Sequence, residues 1–432
     1  MKLDNQIQQL IEEEIKGCFD FFWHESNAIE GEVGYGLTAD VAGRPICSIA
    51  AVGFAMCAYM IGVERKYITF DEGFSRVMKT LHTIKNVESH KGFMVHFLNQ
   101  KTLALTKHPE YSTIDTAIFL MGAITAGEYF GGEAKEIVNE LVERVDWEWL
   151  VITRNNKKIF RMAYSEKTWP ETDGWCPAVW EEYAEQLMMY ILYAGHPKSN
   201  KKLANDLYFG FERRVGSYKG DNMVYCFGNA LFIHQFTHCF FDFSKYVDRR
   251  GFDWFKNSKT ATLANRQFCI DQKWSKTYGE NSWGLTAFEG EHGYRVYGAP
   301  PFGWYNQEVD MEIDGSVAPY AALSSIVFTP NESIEALKYF ASMPELKGKY
   351  GLTDCYNFEN GRYFSKNYLG IDKGPTIVML ENFLNGTVWK YFMQSDVAKR
   401  AIDILGFTSK DQVYLDFTRV KPIKIYKNKN LK

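Results

Sequence analysis

Four carboxylates in this 432-residue chain stand where chemistry is possible. Asp115 opens the apolar run "YSTIDTAIFL", Glu185 sits early in "WEEYAEQLMMYILY", Asp314 lies in "IDGSVAP" and Asp372 in "LGIDKGP". A carboxyl embedded in apolar sequence resists ionisation, and one that keeps its proton near neutral pH can donate it. A second carboxyl that stays ionised can take a proton from water. Two such groups, about 6.5–9.5 Å apart, are what inverting glycoside cleavage requires: one protonates the leaving oxygen while the other activates water across the ring. Glu185 reads as the acid and Asp372, just ahead of Pro375, as the base. Asp115 admits two compatible readings. It follows Ser112 by three residues in a capping-box-like arrangement, and a helix N-terminus at a cavity would hold it ionised for sugar binding or for the base role. Asp314 reads first as an Asp-Gly turn residue. The plain alternative for Glu185 is a charge stabilising a helix N-terminus, and for Asp372 a loop-to-cap hydrogen bond.

These residues need a frame, and hydrophobic periodicity supplies one. Two kinds of helix alternate along the chain. The first is amphipathic and charged, over residues 6–25, 71–84, 133–149, 199–211, 252–271 and 332–343. The second is apolar or small on nearly every face, over 48–63, 112–130, 180–195, 229–243, 317–326 and 375–392. A helix that is hydrophobic all round is buried, whereas an amphipathic one covers it from outside. Six of each in turn predict an all-α (α/α)6 toroid, an inner ring wrapped by an outer one. No linker divides the chain, so residues 1–432 are expected to form one domain with a C-terminal extension from about residue 394, comprising a short helix and a basic end.

The connections are uneven. Turns after the inner helices are short, while the segments before them are long: 26–47, 85–111, 150–179, 213–228, 273–316 and 344–374. In a ring of antiparallel pairs all six long segments gather on one face, at the N-termini of the inner helices, where function usually sits. "YGLTAD", "ETDGWCPAVW", "YGENSWGLTAFEGEHGYRVYGAPPFGW" and "YNFENGRYFSKNYLGIDKGP" are rich in aromatic rings, glycine and carboxylates. Rings stack on the C–H faces of sugars and polar side chains bond the hydroxyls, so this face predicts a carbohydrate cleft. Trp175, Glu280, Trp283, Arg295, Tyr297, Trp304 and Asp314 are the candidate sugar contacts. The bland alternative is that the rings only staple long loops to the barrel.

Several classes are excluded or disfavoured. With 49 basic and 53 acidic residues the net charge is −4 and no basic stripe appears, which argues against nucleic acid as a partner. No uninterrupted apolar run is long enough to span a bilayer. The start, MKLDNQIQQL, is not a signal peptide; the expectation is a cytoplasmic protein, or a periplasmic one whose leader has been removed. The eight cysteines include no C-x-x-C pair and read as buried free thiols. His234 and His238 are four apart, but no third ligand or H-E-x-x-H arrangement accompanies them, so they read as a hydrogen-bonded core pair and no metal or other cofactor is expected. The glycine-rich stretches match no phosphate-binding fingerprint.

Four long motifs carry a family resemblance: "STIDTAIFLMGAITAGEYFGG", "ENSWGLTAFEGEHGYRVYGAPP", "DGSVAPYAALSSIVFTPNESIEALKYF" and "LGIDKGPTIVMLENFLNGTVWKYFM". Through them nearly the whole chain resembles the glucoamylase-like proteins grouped as glycoside hydrolase family 144, which act on β-1,2-glucans. The resemblance implies an (α/α)6 fold and an inverting, metal-independent hydrolase of β-1,2-linked glucose, working as an endo-glucanase or as an exo enzyme that releases sophorose. One departure is visible. Where that family usually has Tyr-Asn-Glu at the third inner helix, this chain has Tyr183-Ala184-Glu185, so a sugar contact from the Asn is missing while the acid is kept. The competing readings are an α-glucan hydrolase on the same fold and a non-catalytic glycan-binding toroid. A phosphorylase would need a basic anion pocket, and a prenyl-chain cyclase a D-D-x-x-D-like cluster; neither is present in the sequence.

Overall fold

The computed structural model describes residues 3–226, 228–301 and 313–412. Among these, thirteen α-helices follow in order: α1 (Asn5–His24), α2 (Ile49–Glu64), α3 (Phe70–Lys85), α4 (Thr113–Phe130), α5 (Gly132–Glu143), α6 (Leu187–Gly195), α7 (Lys201–Tyr208), α8 (Trp254–Asp271), α9 (Pro319–Leu323), α10 (Pro330–Ala341), α11 (Gly370–Leu384), α12 (Thr387–Gln394) and α13 (Asp396–Leu405). The strands among the described residues are short, none exceeding five residues. The fold is the all-α toroid.

The alternation read from periodicity corresponds to two layers. Helices α2 and α6 are buried on every face, and α4 nearly so. The outer helices bury one stripe and are capped by side chains. Asp4 accepts from the Ile7 N–H at the start of α1, and Thr69 and Glu72 form a reciprocal capping box at α3. In the inner ring α2 packs on α4, α4 on α6, α9 on α11, and α11 returns to α2. Small residues let the first two approach closely. A Cβ on Gly122 would lie 1.9 Å from the Gly53 carbonyl oxygen, and one on Gly53 2.5 Å from the Phe119 Cα. Any larger side chain there would force α2 and α4 apart.

Three inner elements differ from their predicted form. The fourth, expected as a helix over 229–243, consists of 3-10 turns at Leu231–His234, Thr237–Cys239 and Phe243–Lys245. Its aromatic, β-branched and histidine side chains have modest helix propensity. Tertiary bonds also claim it: the Gln235 amide donates to the Ala321 carbonyl and the Thr237 hydroxyl to the Glu185 carbonyl. The third inner helix begins at Leu187, not at residue 180, because Trp180 pairs with Phe160 in a small sheet and the Tyr183 N–H donates to the Glu212 carbonyl. The sixth starts at Gly370, ahead of Pro375, so Asp372 lies within its first turn; it ends at Leu384, and Gly386, with φ +66°, turns the chain into α12. Beyond residue 394, α13 packs on α6 and α7. The basic end lies outside the described residues.

Candidate active site

A cavity of about 660 Å³ opens at the N-terminal ends of the inner helices. Its wall draws Asp40, Arg44, His96, Asp115, Glu185, Glu289, Tyr294 and Tyr320 together with apolar residues that include Phe97, Phe232, Phe236 and Ile371. The first, second, fifth and sixth long connections contribute to it; the third and fourth, expected on the same face, do not.

Glu185 stands in the turn before α6, where the strand-paired backbone upstream postpones the helix. Burial pushes its carboxyl up to about 7; its own backbone N–H opposes this and the Asp115 charge adds to it. The group therefore holds a proton near neutral pH and faces the cavity, which suits a general acid.

Asp115 is bonded to the N-cap of α4 and also lies in the cavity wall. Ser112 is the N-cap of α4, accepting from the Asp115 N–H at 3.2 Å, and its hydroxyl donates to Asp115 Oδ2 at 2.5 Å. The other carboxylate oxygen, Oδ1, lies 3.3 Å from His96 Nε2. His96 Nδ1 in turn lies 2.7 Å from Glu110 Oε1, and the ring stacks on Phe97. Burial works against a charge on His96, but Asp115, Glu110 and Asp40 outweigh it and raise its pKa. Asp40 is pushed up to about 6 by burial, partly offset by His96. Neither Asp40 nor His96 was selected from sequence, although "YGLTAD" was singled out; without the fold, nothing marks which of many loop residues converge.

Asp372 is 2% exposed and is not part of the cavity wall. It does not stand alone. The charge of Asp354, 5% exposed and not selected from sequence, acts on it. Burial raises both, Asp354 to about 6 and Asp372 well above the ordinary carboxylate range, with the neighbouring Asp354 charge adding to the latter.

The expected sugar contacts fare differently. In the hairpin Ala287–Gly290 and Gly293–Val296, side chains alternate between faces. Tyr294 and Val296 line the cavity, 56% and 43% exposed. Tyr297, expected at the sugar, is buried and stacked on Phe288 with centroids 4.1 Å apart. Arg295 lies in the same alternation as Tyr297 and is not part of the cavity wall. The cavity is lined by the other face of the hairpin from the one the sequence reading chose, a one-residue matter in a strand. Trp283 is fully buried in the core, and Trp175 packs against Trp149 at 4.4 Å with Arg161 over its ring. Glu280 is exposed and paired with Arg266. Asp314 accepts from the Ser316 N–H at 2.8 Å as a turn residue and also from the Tyr297 hydroxyl. None of these four lines the cavity. Trp304 lies outside the described residues.

The two histidines form core bonds: His234 with Asn229 and Tyr183, and His238 with Ser258. Burial lowers both, His234 to about 3. Among the described residues no group of three or more His, Cys, Asp or Glu side chains is placed to hold a metal ion, and no helix is long and apolar enough to cross a membrane. The eight cysteines are unpaired, seven buried and Cys176 half-buried.

The sequence model of the Glycoamylase family, described as "Putative glucoamylase", matches residues 177–396, just over half of the 432. The chain belongs to this family. Three similar proteins extend the match beyond those residues. A curated relative from Parabacteroides distasonis, named an exo beta-1,2-glucooligosaccharide sophorohydrolase (non-reducing end), is 25% identical over 446 aligned positions. The alignment takes in 92% of this chain, and this chain spans 57% of that relative's length. The crystal structure of a "putative glucoamylase" from Bacteroides uniformis is 27% identical with a TM-score of 0.80, covering 95% of this chain and 99% of that one. An endo-beta-1,2-glucanase from Chitinophaga pinensis, solved with sophorotriose and glucose, is 25% identical with a TM-score of 0.81, covering 94% and 99%.

Proposed function

We propose that this Glycoamylase-family chain is an inverting glycoside hydrolase that cleaves β-1,2-glucan or its oligosaccharides, with residues 1–432 acting as one catalytic domain. The observation that carries the reading is Glu185: a carboxyl that keeps its proton near neutral pH, in the wall of a cavity large enough for several sugar rings. Its position in the ring supports inversion. Glu185 precedes the third inner element and Asp372 opens the sixth, and these face one another across a six-membered ring. An acid and a base on opposite sides are what a displacement by water needs. Glu185 donates its proton to the leaving glycosidic oxygen, while the Asp372 side takes one from water. Asp115, fixed by Ser112 and His96, is acceptor-only when ionised and binds sugar hydroxyls. Tyr294 offers a ring face to a pyranose.

The linkage rests on the relatives, two of which carry β-1,2-glucan activities in their names. Incubation with linear β-1,2-glucan and, separately, with starch, followed by chromatographic sizing, tests it. Short β-1,2-gluco-oligosaccharides from the first and no products from the second are expected. Glucose from starch with β-1,2-glucan left intact would instead establish an α-glucan hydrolase.

A further inference from the structure

Each ring nitrogen of His96 meets a carboxylate. Nδ1 lies 2.7 Å from Glu110 Oε1, and Nε2 lies 3.3 Å from Asp115 Oδ1. A neutral imidazole has one N–H and one bare nitrogen, so either tautomer would turn a lone pair on one of these oxygens. Both contacts are attractive only when both nitrogens carry hydrogen, which is the imidazolium. The backbone builds the arrangement in. The His96 N–H donates to the Glu110 carbonyl at 2.8 Å, and the His96 carbonyl accepts the Ile49 N–H, at the start of α2, at 3.1 Å. The ring is stacked on Phe97 with centroids 3.6 Å apart. The two carboxylates differ in place. Asp115 lines the cavity, whereas Glu110 does not, and the Glu110 side chain is 33% exposed.

Resting on the hydrolase reading above, we infer that His96 and Glu110 are positioning residues for the substrate: Glu110, outside the cavity wall, holds His96 as the imidazolium, and the imidazolium orients the Asp115 carboxylate that receives sugar hydroxyls. The relay has a direction. Glu110 keeps the Nδ1–H, so a ring that loses a proton to water loses it from Nε2. A bare nitrogen then faces Asp115 Oδ1, acceptor against acceptor, while Oδ2 stays with the Ser112 hydroxyl. The contact that orients Asp115 is gone, and sugar affinity falls as pH rises through the titration of His96. The groups facing the ring are Asp115 from α4, Glu110 from the end of the second long connection and Asp40 from the first, with Arg44 and Glu289 beyond Asp40. Burial opposes the charged ring and the three carboxylates overcome it, so the midpoint lies above the ordinary histidine value.

Nitrogen NMR of protein carrying isotopically labelled histidine reads the ring directly, the His96 signal being the one absent from His96→Gln. Both nitrogens should show protonated shifts at pH 7; a neutral, single-tautomer ring there overturns the inference. Glu110→Gln should lower the midpoint by about one pH unit. If His96→Gln does not fold, the signal displaced by Glu110→Gln makes the assignment, and no displaced histidine signal in that variant refutes the role of Glu110. Sugar binding is read in Glu185→Gln, where cleavage and the acid's own titration are both removed. Calorimetry with a β-1,2-linked gluco-oligosaccharide should show Kd rising about 10-fold across the His96 midpoint. Adding His96→Gln should flatten that dependence, because an amide keeps its hydrogens at every pH. A His96 that merely supports the fold would lower the melting temperature and leave the pH dependence of Kd as it was, which overturns the inference. Failure of the hydrolase reading looks different: β-1,2-glucan would be left uncut by the wild type and unbound at every pH, while the nitrogen shifts still decide the state of the ring.

Discussion

His96 Nε2 lies 3.3 Å from Asp115 Oδ1, while the N-cap hydroxyl of Ser112 donates to the same carboxylate's Oδ2. Asp115 thereby bonds the N-cap of a buried helix through one oxygen and meets His96 in the cavity wall through the other.

Those oxygens can be separated by mutation. Ser112→Ala removes the cap acceptor and should cost about 1 kcal/mol of stability with a small change in rate. Asp115→Asn keeps the shape but loses the charge that His96 faces, and should lower kcat/KM by about 10-fold or more with little change in the urea midpoint. The reverse pattern, stability lost and rate kept, would reduce Asp115 to a cap.

Glu185→Gln preserves size while removing the donated proton, so kcat should fall by about 10²–10⁴-fold with binding largely retained. Stability provides a second readout. The folded-state pKa of about 7 lies above the ordinary value of 4.5, so Glu185 binds its proton more tightly when folded. Its contribution is fully present below about pH 4.5 and is lost as pH rises toward and through 7. The variant should therefore melt like the wild type at pH 4 and above it at pH 8. Equal melting temperatures at both pH values would show that Glu185 is not held protonated.

Activity should follow a bell in pH. It needs an ionised base, gained as pH rises, and the proton of Glu185, lost as pH rises through about 7. The fall on the alkaline side of kcat/KM is expected near pH 7. A plateau extending to pH 9 would contradict the assignment of Glu185 as the acid.

Tyr294 and Trp175 make a contrasting pair. Tyr294→Ala removes a 56% exposed ring at the cavity and should raise KM several-fold with the fold unchanged. Trp175→Ala removes a ring packed between Trp149 and Tyr164 and should lower the melting temperature without a selective effect on KM. An effect of Trp175→Ala on KM alone would reinstate it as a sugar contact.

The layers of the toroid were legible because burial leaves a compositional mark: residues 49–62 and 187–195 are apolar or small throughout, and α1 and α3 carry stripes. Glu185 was legible for a related reason, as one carboxyl ahead of an apolar helix. What could not be read was convergence. Asp354 and Asp372 are eighteen positions apart, and α11 begins at Gly370, five residues earlier than expected from Pro375. His96 reaches Asp115 across a long connection. In the hairpin, a period of two makes Tyr294 and Tyr297 equally good aromatics, and only strand pairing decides which faces the cavity. The fourth inner element shows propensity yielding to tertiary bonds from Gln235 and Thr237.

The central claim is two carboxyl sites acting on opposite sides of a ring, with water between. Proton NMR of the first turnovers on a short β-1,2-gluco-oligosaccharide tests it most directly, because the anomer is read before mutarotation scrambles it. The account predicts that the new reducing end appears first as the α-anomer. Initial release of the β-anomer would mean a covalent intermediate or a different base, and would contradict it.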